Sequence, residues 1–173
     1  MHNLVKTILI VTASPDVFTT IRQAFIAKDP DLIVIHADTL SSATNIIENT
    51  SVSAVIGDYS LPDGIIVDLV SVLKQLPLIV LFDEGDEEKF LPVLLAGAFS
   101  IMVRDRNNVY PESLHFFVKR SIERTAHQAE LARYRAQLET IIDERTTVLV
   151  EMYEKLQENE ANFRNIFQCA GDC

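Results

Sequence analysis

Two side chains capable of ionic chemistry follow short apolar runs in the first two thirds of the chain. Asp58 comes just after the run at residues 52–56, and Arg104 comes just after the run at residues 100–103. Such runs are typical of buried parallel strands, whose carboxyl ends lie along one edge of a sheet. Mg²⁺ prefers oxygen ligands, but one carboxylate beside an arginine does not readily hold it. The pattern therefore predicts that Asp58 and Arg104 lie at one edge of the sheet, where such a lone carboxylate does not readily form a metal site.

No other constellation in the sequence predicts catalysis. The chain has no nucleophile elbow, no GxGxxG loop and no cluster of metal ligands. Its two cysteines, Cys169 and Cys173, have no histidine nearby that would complete a zinc site. His127 falls within a helical pattern and is interpreted as an exposed helical histidine. We expect no enzymatic activity and no cofactor for this chain.

Short apolar runs alternate with amphipathic stretches over the first 120 residues or so. The runs predict strands at residues 7–11, 32–36, 52–56, 77–82 and 100–103. Helices are predicted at residues 15–28, 39–49, 65–74 and 86–96, with a last helix that starts at Pro111. Strands and helices in strict alternation indicate an α/β fold, with a parallel sheet covered by helices on both faces.

Three segments of this alternation resemble the receiver domain of two-component response regulators. Residues 58–64 read Asp-Tyr-Ser-Leu-Pro-Asp-Gly, residues 8–11 read Ile-Leu-Ile-Val, and residues 95–98 read Leu-Ala-Gly-Ala. The resemblance implies a flavodoxin-like, doubly wound sheet of five parallel strands in the order 2-1-3-4-5, and a receiver-like domain over residues 1–124. It also implies that Asp58 occupies the position of the phospho-acceptor, which a histidine kinase would phosphorylate.

Four other positions of the receiver site depart from the family's pattern. Thr12 and Ala13 stand where the family has an acidic pair that holds Mg²⁺, Phe82 replaces a hydroxyl residue, and Arg104 replaces a lysine. Phosphoryl transfer to a carboxylate depends on a metal that neutralises charge. We therefore interpret the domain as degenerate, with Asp58 paired to Arg104 and the Phe82 ring covering the former site. In the alternative, Asp58 still accepts phosphate with Mg²⁺, as in a working phosphorelay.

A single long helix is predicted from Pro111 to about residue 168, because glycine and further proline are absent there. A helix of this length would extend on the order of 80 Å, so it would protrude from a domain of this size. Apolar residues at heptad spacing form a seam (the predicted seam): Leu131, Leu138, Ile142, Leu149, Met152, Leu156 and Phe163. This spacing favours a parallel coiled-coil homodimer. The alternative is a helix folded back on its own domain.

The end of the chain carries a second resemblance, to sensory signalling proteins. Residues 142–146, Ile-Asp-Glu-Arg-Thr, resemble a linker helix, and residues 160–168 resemble the entry helix of a PAS domain. The resemblance implies a coiled-coil signalling helix over residues 125–160, continuous with the fifth helix, and the start of a truncated PAS-like domain at 161–173. A longer parent protein is then expected, plausibly a histidine kinase and less so a cyclic-dinucleotide synthase.

Composition narrows the possible partners. The 173 residues carry a formal net charge of −10, which repels nucleic-acid phosphates, and no apolar run approaches the length of a membrane span. With no disulfide framework, we expect a cytoplasmic protein.

The expected function is a signalling module with impaired phosphorylation, which dimerises and transmits a signal to downstream PAS or kinase domains. The alternatives are the phosphorelay receiver and a purely structural dimerisation spacer.

Overall fold

The computed structural model describes residues 6–105 and 109–170, and the side chains of these residues up to 161. Within these ranges the strands are β1 Thr7–Val11, β2 Ile33–Ala37, β3 Ala54–Asp58, β4 Ser60–Leu61, β5 Gly64–Ile65, β6 Leu78–Phe82 and β7 Ser100–Val103. The α-helices are α1 Pro15–Lys28, α2 Leu40–Asn49, α3 Val70–Leu73, α4 Phe90–Leu95 and α5 Tyr110–Ala170.

Five of the strands form one parallel sheet in the order β2-β1-β3-β6-β7. Counting these five strands alone, this is the predicted order 2-1-3-4-5, and the prediction of the fold class is confirmed. Every residue of β1, β3 and β6 is buried. Parallel strands covered on both faces carry apolar side chains without alternation, which is why their runs are continuous in the sequence.

The sheet separates two apolar cores. On one face, Phe25 of α1 and Leu114 of α5 pack with Ile8 and Ile10 of β1. On the other face, Leu9 and Val11 of β1 pack with residues of α2, α3 and α4. Adjacent residues of one strand thus point into different cores, as the pleat of a strand requires. Side chains at the carboxyl ends of β1, β3 and β6 are held in place by this packing from both sides.

The structure differs from the prediction in four places. The third strand begins two residues later, so that Asp58 is its last residue and not part of a turn. A small antiparallel pair, β4 with β5, follows it where a turn was predicted. The predicted helix at 65–74 is a 3₁₀ turn, Ile66–Leu69, followed by the single turn of α3, which ends where Lys74 adopts a φ of 55°. The predicted helix at 86–96 likewise starts as a 3₁₀ turn, Glu87–Lys89.

Asp63 fixes the segment after Asp58 against the start of α2. Its carboxylate accepts hydrogen bonds from the backbone N–H groups of Leu40, at 2.8 Å, and Ser41, at 3.0 Å. These N–H groups belong to the first turn of α2 and have no partner within the helix. The same bonds lower the pKa of Asp63 below its usual range. This contact links the carboxyl end of β3 to a neighbouring helix.

The chain divides into two compact units, residues 1–126 and residues 127–173. The first unit contains the sheet, and the second consists of the later part of α5. The long C-terminal helix is confirmed, while the predicted boundaries at 124, 160 and 161 stay predictions. Side chains of residues 162–170, Phe163 among them, and residues 171–173 lie outside the described residues. No helix in the described ranges combines the length and apolar character that crossing a membrane requires.

Gly57 provides a test of the packing beneath the site. A Cβ atom added at Gly57 would lie 2.5 Å from Cδ1 of Ile66 and 3.2 Å from Cβ of Val11. Both neighbours are fully buried, so Gly57→Ala is expected to lower the free energy of unfolding by about 1–3 kcal/mol through overpacking. Urea unfolding measures this loss. Adding Ile66→Val, which removes Cδ1, should make the double variant more stable than the sum of the two single changes; strict additivity would contradict the contact.

Candidate functional site

The candidate site is a hydrogen-bonded group of four side chains at the carboxyl edge of the sheet. Asp58 lies at its centre: its Oδ2 accepts a hydrogen bond of 2.5 Å from Oγ1 of Thr12, and its Oδ1 accepts one of 2.9 Å from Nη1 of Arg104. Arg104 also donates to Oδ1 of Asp83, from Nε at 2.9 Å, and its Nη2 lies 2.7 Å from the same oxygen. One guanidinium therefore bridges two carboxylates.

Strand order explains why these residues meet although they are far apart in the sequence. Thr12 follows β1, Asp58 ends β3, Asp83 follows β6 and Arg104 follows β7, and these four strands are neighbours in the sheet. The carboxyl ends of parallel strands lie along one edge. Backbone hydrogen bonds continue the ladder past the strands, from the N–H of Arg104 to the carbonyl of Phe82 at 2.8 Å. The strand order of the sheet thus brings the four side chains of the site together.

Hydrogen bonds to both its backbone and its side chain fix the position of Thr12. Its N–H donates to the carbonyl of Ala37, its Oγ1 accepts from the N–H of Ser14 at 3.1 Å, and its carbonyl accepts from Nε2 of His36 at 2.9 Å. The residue is fully buried. With its lone pair used by Ser14, the hydroxyl directs its proton at Asp58. Thr12 therefore acts here as a fixed hydrogen-bond donor.

The group borders an open cleft of about 730 Å³. The cleft is lined by Ala13, Ser14, Val17, Asp58, Asp83, Glu84, Arg104, Asp105 and Tyr110. Asp58 and Arg104 are largely buried at its floor, with 12 % and 19 % of their side chains exposed, whereas 70 % of Asp83 is exposed. Asp83 is therefore the most accessible carboxylate of the group.

The structure brings three of the predicted positions together and places the other two differently. Thr12, Asp58 and Arg104 are in direct contact, and Ala13 lines the cleft with only a methyl group. The prediction that Phe82 covers the site is wrong. Its ring is buried in the core, where it stacks on Tyr59 at 5.1 Å and packs against Phe90 at 4.8 Å. Burying a large ring among apolar neighbours is favourable, so Phe82 turns away from the polar edge.

Sequence reasoning missed Asp83 and the residues that lead into α5. Asp83 opens an acidic stretch of the sequence, which by itself indicates a solvated loop, although a place directly after a strand signals that it reaches the edge. Asp105 accepts hydrogen bonds from the N–H groups of Val109, at 3.1 Å, and Tyr110, at 2.7 Å. It therefore caps the start of α5, while Tyr110 lines the cleft. The cleft and the first turn of α5 share these residues.

Burial is the dominant influence on the charge of Asp58. Desolvation raises the pKa of its carboxyl above the ordinary value, and the nearby Asp83 carboxylate raises it further. The hydrogen bond from Thr12 and the charge of Arg104 oppose this rise without cancelling it. The hydrogen bond from Thr12 and the ion pair with Arg104 thus both favour the charged form of a poorly solvated carboxylate.

The side chains around Asp58 are poor ligands for Mg²⁺. Both carboxylate oxygens already accept hydrogen bonds, and the groups nearest to them are a hydroxyl and a guanidinium cation. Mg²⁺ requires several oxygen ligands in near-octahedral geometry, usually with carboxylates among them. In the part of the chain that the structure describes, no three His, Cys, Asp or Glu side chains are grouped so that they could hold a metal ion.

The raised pKa predicts how stability depends on pH. The pKa of Asp58 is 3.8 in the unfolded chain and higher in the folded protein. Between these two pKa values the folded state binds more protons than the unfolded chain. The free energy of unfolding therefore falls as pH rises through this window. Asp58→Asn should abolish this loss, measured by urea unfolding from just below pH 3.8 to neutral. Arg104→Met should extend the loss to higher pH and lower the neutral free energy of unfolding by about 1–3 kcal/mol.

Arg120→Met serves as the control for the arginine change, because Arg120 is exposed on α5. It should leave the pH profile unchanged. An Arg104→Met profile that overlays the wild-type curve would show that the guanidinium does not hold the charge of Asp58.

No protein-family model and no curated protein sequence matches the chain significantly. Several solved structures, however, are similar to this chain. A signal receiver domain of a putative LuxO repressor protein from Vibrio parahaemolyticus is 20 % identical with a TM-score of 0.64, over 74 % of this chain and 98 % of that one. A response regulator receiver domain protein from Clostridium thermocellum is 18 % identical with a TM-score of 0.64, over 72 % and 99 %.

A third structure, the chemotaxis response regulator CheY4 of Vibrio cholerae, is 20 % identical with a TM-score of 0.57, over 68 % of this chain and 99 % of that one. The descriptions of all three structures name a receiver domain or a response regulator. At these identities the likeness establishes architecture. This chain therefore has the flavodoxin-like fold of response-regulator receiver domains.

Proposed function

We propose that this chain is a cytoplasmic signalling module of the two-component type, whose receiver-like domain has lost efficient Mg²⁺-dependent phosphorylation and acts through its C-terminal helix. One observation carries the proposal: Asp58 is bonded on both oxygens by groups of the chain itself, Thr12 and Arg104. A phospho-accepting carboxylate needs one oxygen free for attack and a metal to offset the incoming charge. Here a guanidinium supplies the compensating charge in advance.

The electrostatics of phosphoryl transfer support this proposal. Bringing a dianionic phosphoryl group to Asp58 would place it close to Asp83 and Glu84, which also line the cleft. A single arginine would have to serve both the acceptor and the donor phosphate. Arg104 would also have to release Asp83, because its Nε and Nη2 both contact that carboxylate. Without a divalent metal ion to spread the charge, the barrier to transfer stays high.

The phosphorelay reading remains the second candidate, and a specific feature favours it. Asp58 lines an open cleft, so a phospho-donor can approach it. Arginine also binds phosphate well, through its planar set of donors. In this reading Arg104 exchanges Asp58 for the phosphoryl group after transfer, and Mg²⁺ is required. The two candidates differ in one measurable quantity, the uptake of phosphate by Asp58.

In this proposal α5 transmits the signal from the receiver-like domain. The helix is continuous from Tyr110, whose backbone is capped by Asp105 next to Arg104, to Ala170. Six residues of the predicted seam, from Leu131 to Leu156, expose 57–66 % of their surface. Apolar side chains exposed at heptad spacing along a helix are matched by a second, parallel copy. The dimer would pass a change near Asp58 to PAS or kinase domains of a longer parent protein.

Exposure to a small phospho-donor with millimolar Mg²⁺ tests the site. The wild-type chain is expected to gain no phosphoryl group, as read by intact mass, because no metal is recruited. The triple variant Thr12→Asp, Ala13→Asp, Arg104→Lys is expected to gain Mg²⁺-dependent thermal stability and to be labelled. Asp58→Asn in either background controls for labelling elsewhere. Stoichiometric labelling of wild type that Asp58→Asn removes would establish the phosphorelay reading instead.

Two neighbouring residues of α5 test the dimer. Leu149 belongs to the predicted seam, and Val150 lies outside it, yet both are exposed on the isolated helix. Leu149→Glu is expected to raise the dimer dissociation constant at least roughly tenfold, since it puts a charge in the seam. Val150→Glu carries the same charge outside it and should change the constant little. Sedimentation equilibrium measures both; equal effects, or a wild-type monomer, would contradict the dimer.

A further inference from the structure

A second apolar stripe runs along α5 beside the predicted seam. Tyr134, Ile141 and Val148 are spaced seven residues apart and expose 45–56 % of their surface. They are somewhat less exposed than the seam, which exposes 57–66 %, and nothing in the receiver-like domain's proposed chemistry uses them. Exposed apolar residues at strict heptad spacing indicate contact with another helix. The stripe therefore needs an explanation of its own.

Both stripes can be combined with the same central column. Leu131, Leu138, Arg145 and Met152 (the shared column) are spaced seven residues apart. In the first register, the shared column takes core position a, and Tyr134, Ile141, Val148 and Lys155 take position d. In the second register, the shared column takes position d, and Arg135, Ile142, Leu149 and Leu156 take position a. The second register is the predicted seam extended to Arg135.

We propose that two copies of this chain pair along α5 in either of these two registers, which makes the helix a rotational switch. The inference rests on the dimer proposed above and specifies how that dimer is regulated. The two registers share one column and differ in the other. Exchanging them rotates each helix about its own axis by about 50°, since successive residues are about 100° apart on an α-helix.

A second copy of the chain is the partner that this pattern fits. In a parallel, in-register pair each core position meets its own equivalent, so a single sequence supplies both halves of the interface. In the first register Glu130 takes position g and Arg135 takes position e, five residues later. These positions form ion pairs between the two helices of a parallel coiled coil. Among residues 130–156, Glu130–Arg135 is the one g–e pair of this register that joins opposite charges, and it supports pairing with a second copy.

Neither register is satisfied over the whole helix, and this keeps the two close in free energy. The first register puts Lys155 in the core, and the second puts Arg135 there. Each register therefore buries one cation that the other leaves at the flank, where its charge reaches water. Arg145 belongs to the shared column, so its cost is common to both. Besides the apolar residues that the registers exchange, their difference depends on two charges at opposite ends of the seam.

The spacing of the apolar residues locates the change between the two patterns. Residues 131, 134, 138 and 141 follow the first register, and residues 149, 152 and 156 follow the second. Between them, the steps from 141 to 145 and from 145 to 149 are both four residues long. Two consecutive steps of four form a stutter, which locally unwinds a coiled coil. Moving this stutter along the helix converts one register into the other.

Disulfide cross-linking of the full chain tests the switch. In a background with Cys169→Ser and Cys173→Ser, single cysteines are introduced as Ile141→Cys, at core position d of the first register, or Ile142→Cys, at core position a of the second. Asp143→Cys is the control, because position 143 points outward in both. After mild oxidation, cross-linked dimer is expected for 141 and 142 and not for 143.

Two further substitutions bias the registers in opposite directions. Arg135→Leu removes the buried charge of the second register, and Lys155→Leu removes that of the first. The ratio of cross-linking at 142 to that at 141 is expected to rise roughly tenfold with Arg135→Leu and to fall roughly tenfold with Lys155→Leu.

The outcomes separate the inference from the proposed function. Cross-linking at one position only, with a ratio that neither leucine variant changes, would show a dimer of fixed register and overturn the switch alone. Equal cross-linking at 143 would also overturn it, since no parallel register places that residue at the interface. A monomer in sedimentation equilibrium, with no cross-link at any position, would overturn the proposed dimer itself.

Discussion

The carboxylate of Asp58 lies where solvation is poor, and the surrounding chain must compensate its charge. In this protein the compensation comes from Arg104 and Thr12, at 2.9 and 2.5 Å. Satisfying a buried charge by fixed partners is stabilising only if their geometry is held, because an unpaired charge in this environment is costly. The parallel sheet provides that geometry by ending β1, β3 and β7 at one edge. Site and fold therefore depend on the same set of contacts.

The contacts of Asp58 also reach the start of α5. Arg104 is followed by Asp105, whose carboxylate caps the helix through the N–H groups of Val109 and Tyr110. Tyr110 in turn lines the cleft beside Asp58. The site and the first turn of a 61-residue helix are thus joined through adjacent residues of the chain.

The sequence was sufficient for the sheet because its strands are continuous apolar runs, and the resemblance supplied their order. Asp58 and Arg104 could be placed at one edge for the same reason. The face of the sheet on which the Phe82 ring lies could not be foreseen. A strand that is buried on both faces shows no alternation of apolar and polar residues that would distinguish one face from the other. Asp83 was missed because an acidic residue in a loop is usually solvated. Likewise β4 and β5, with two residues each, are too short to produce a periodic signal.

The position of β7 at the sheet's edge has a consequence for synthesis on the ribosome. Asp58 is separated from Thr12 by 46 residues on one side and from Arg104 by 46 residues on the other. As the chain emerges from its amino end, the hydroxyl donor is available at once, but the guanidinium arrives only after β6. A sheet of β1, β3 and β6 that formed before that point would contain a carboxylate without its cation. Addition of the final edge strand completes the sheet and neutralises that charge in the same step.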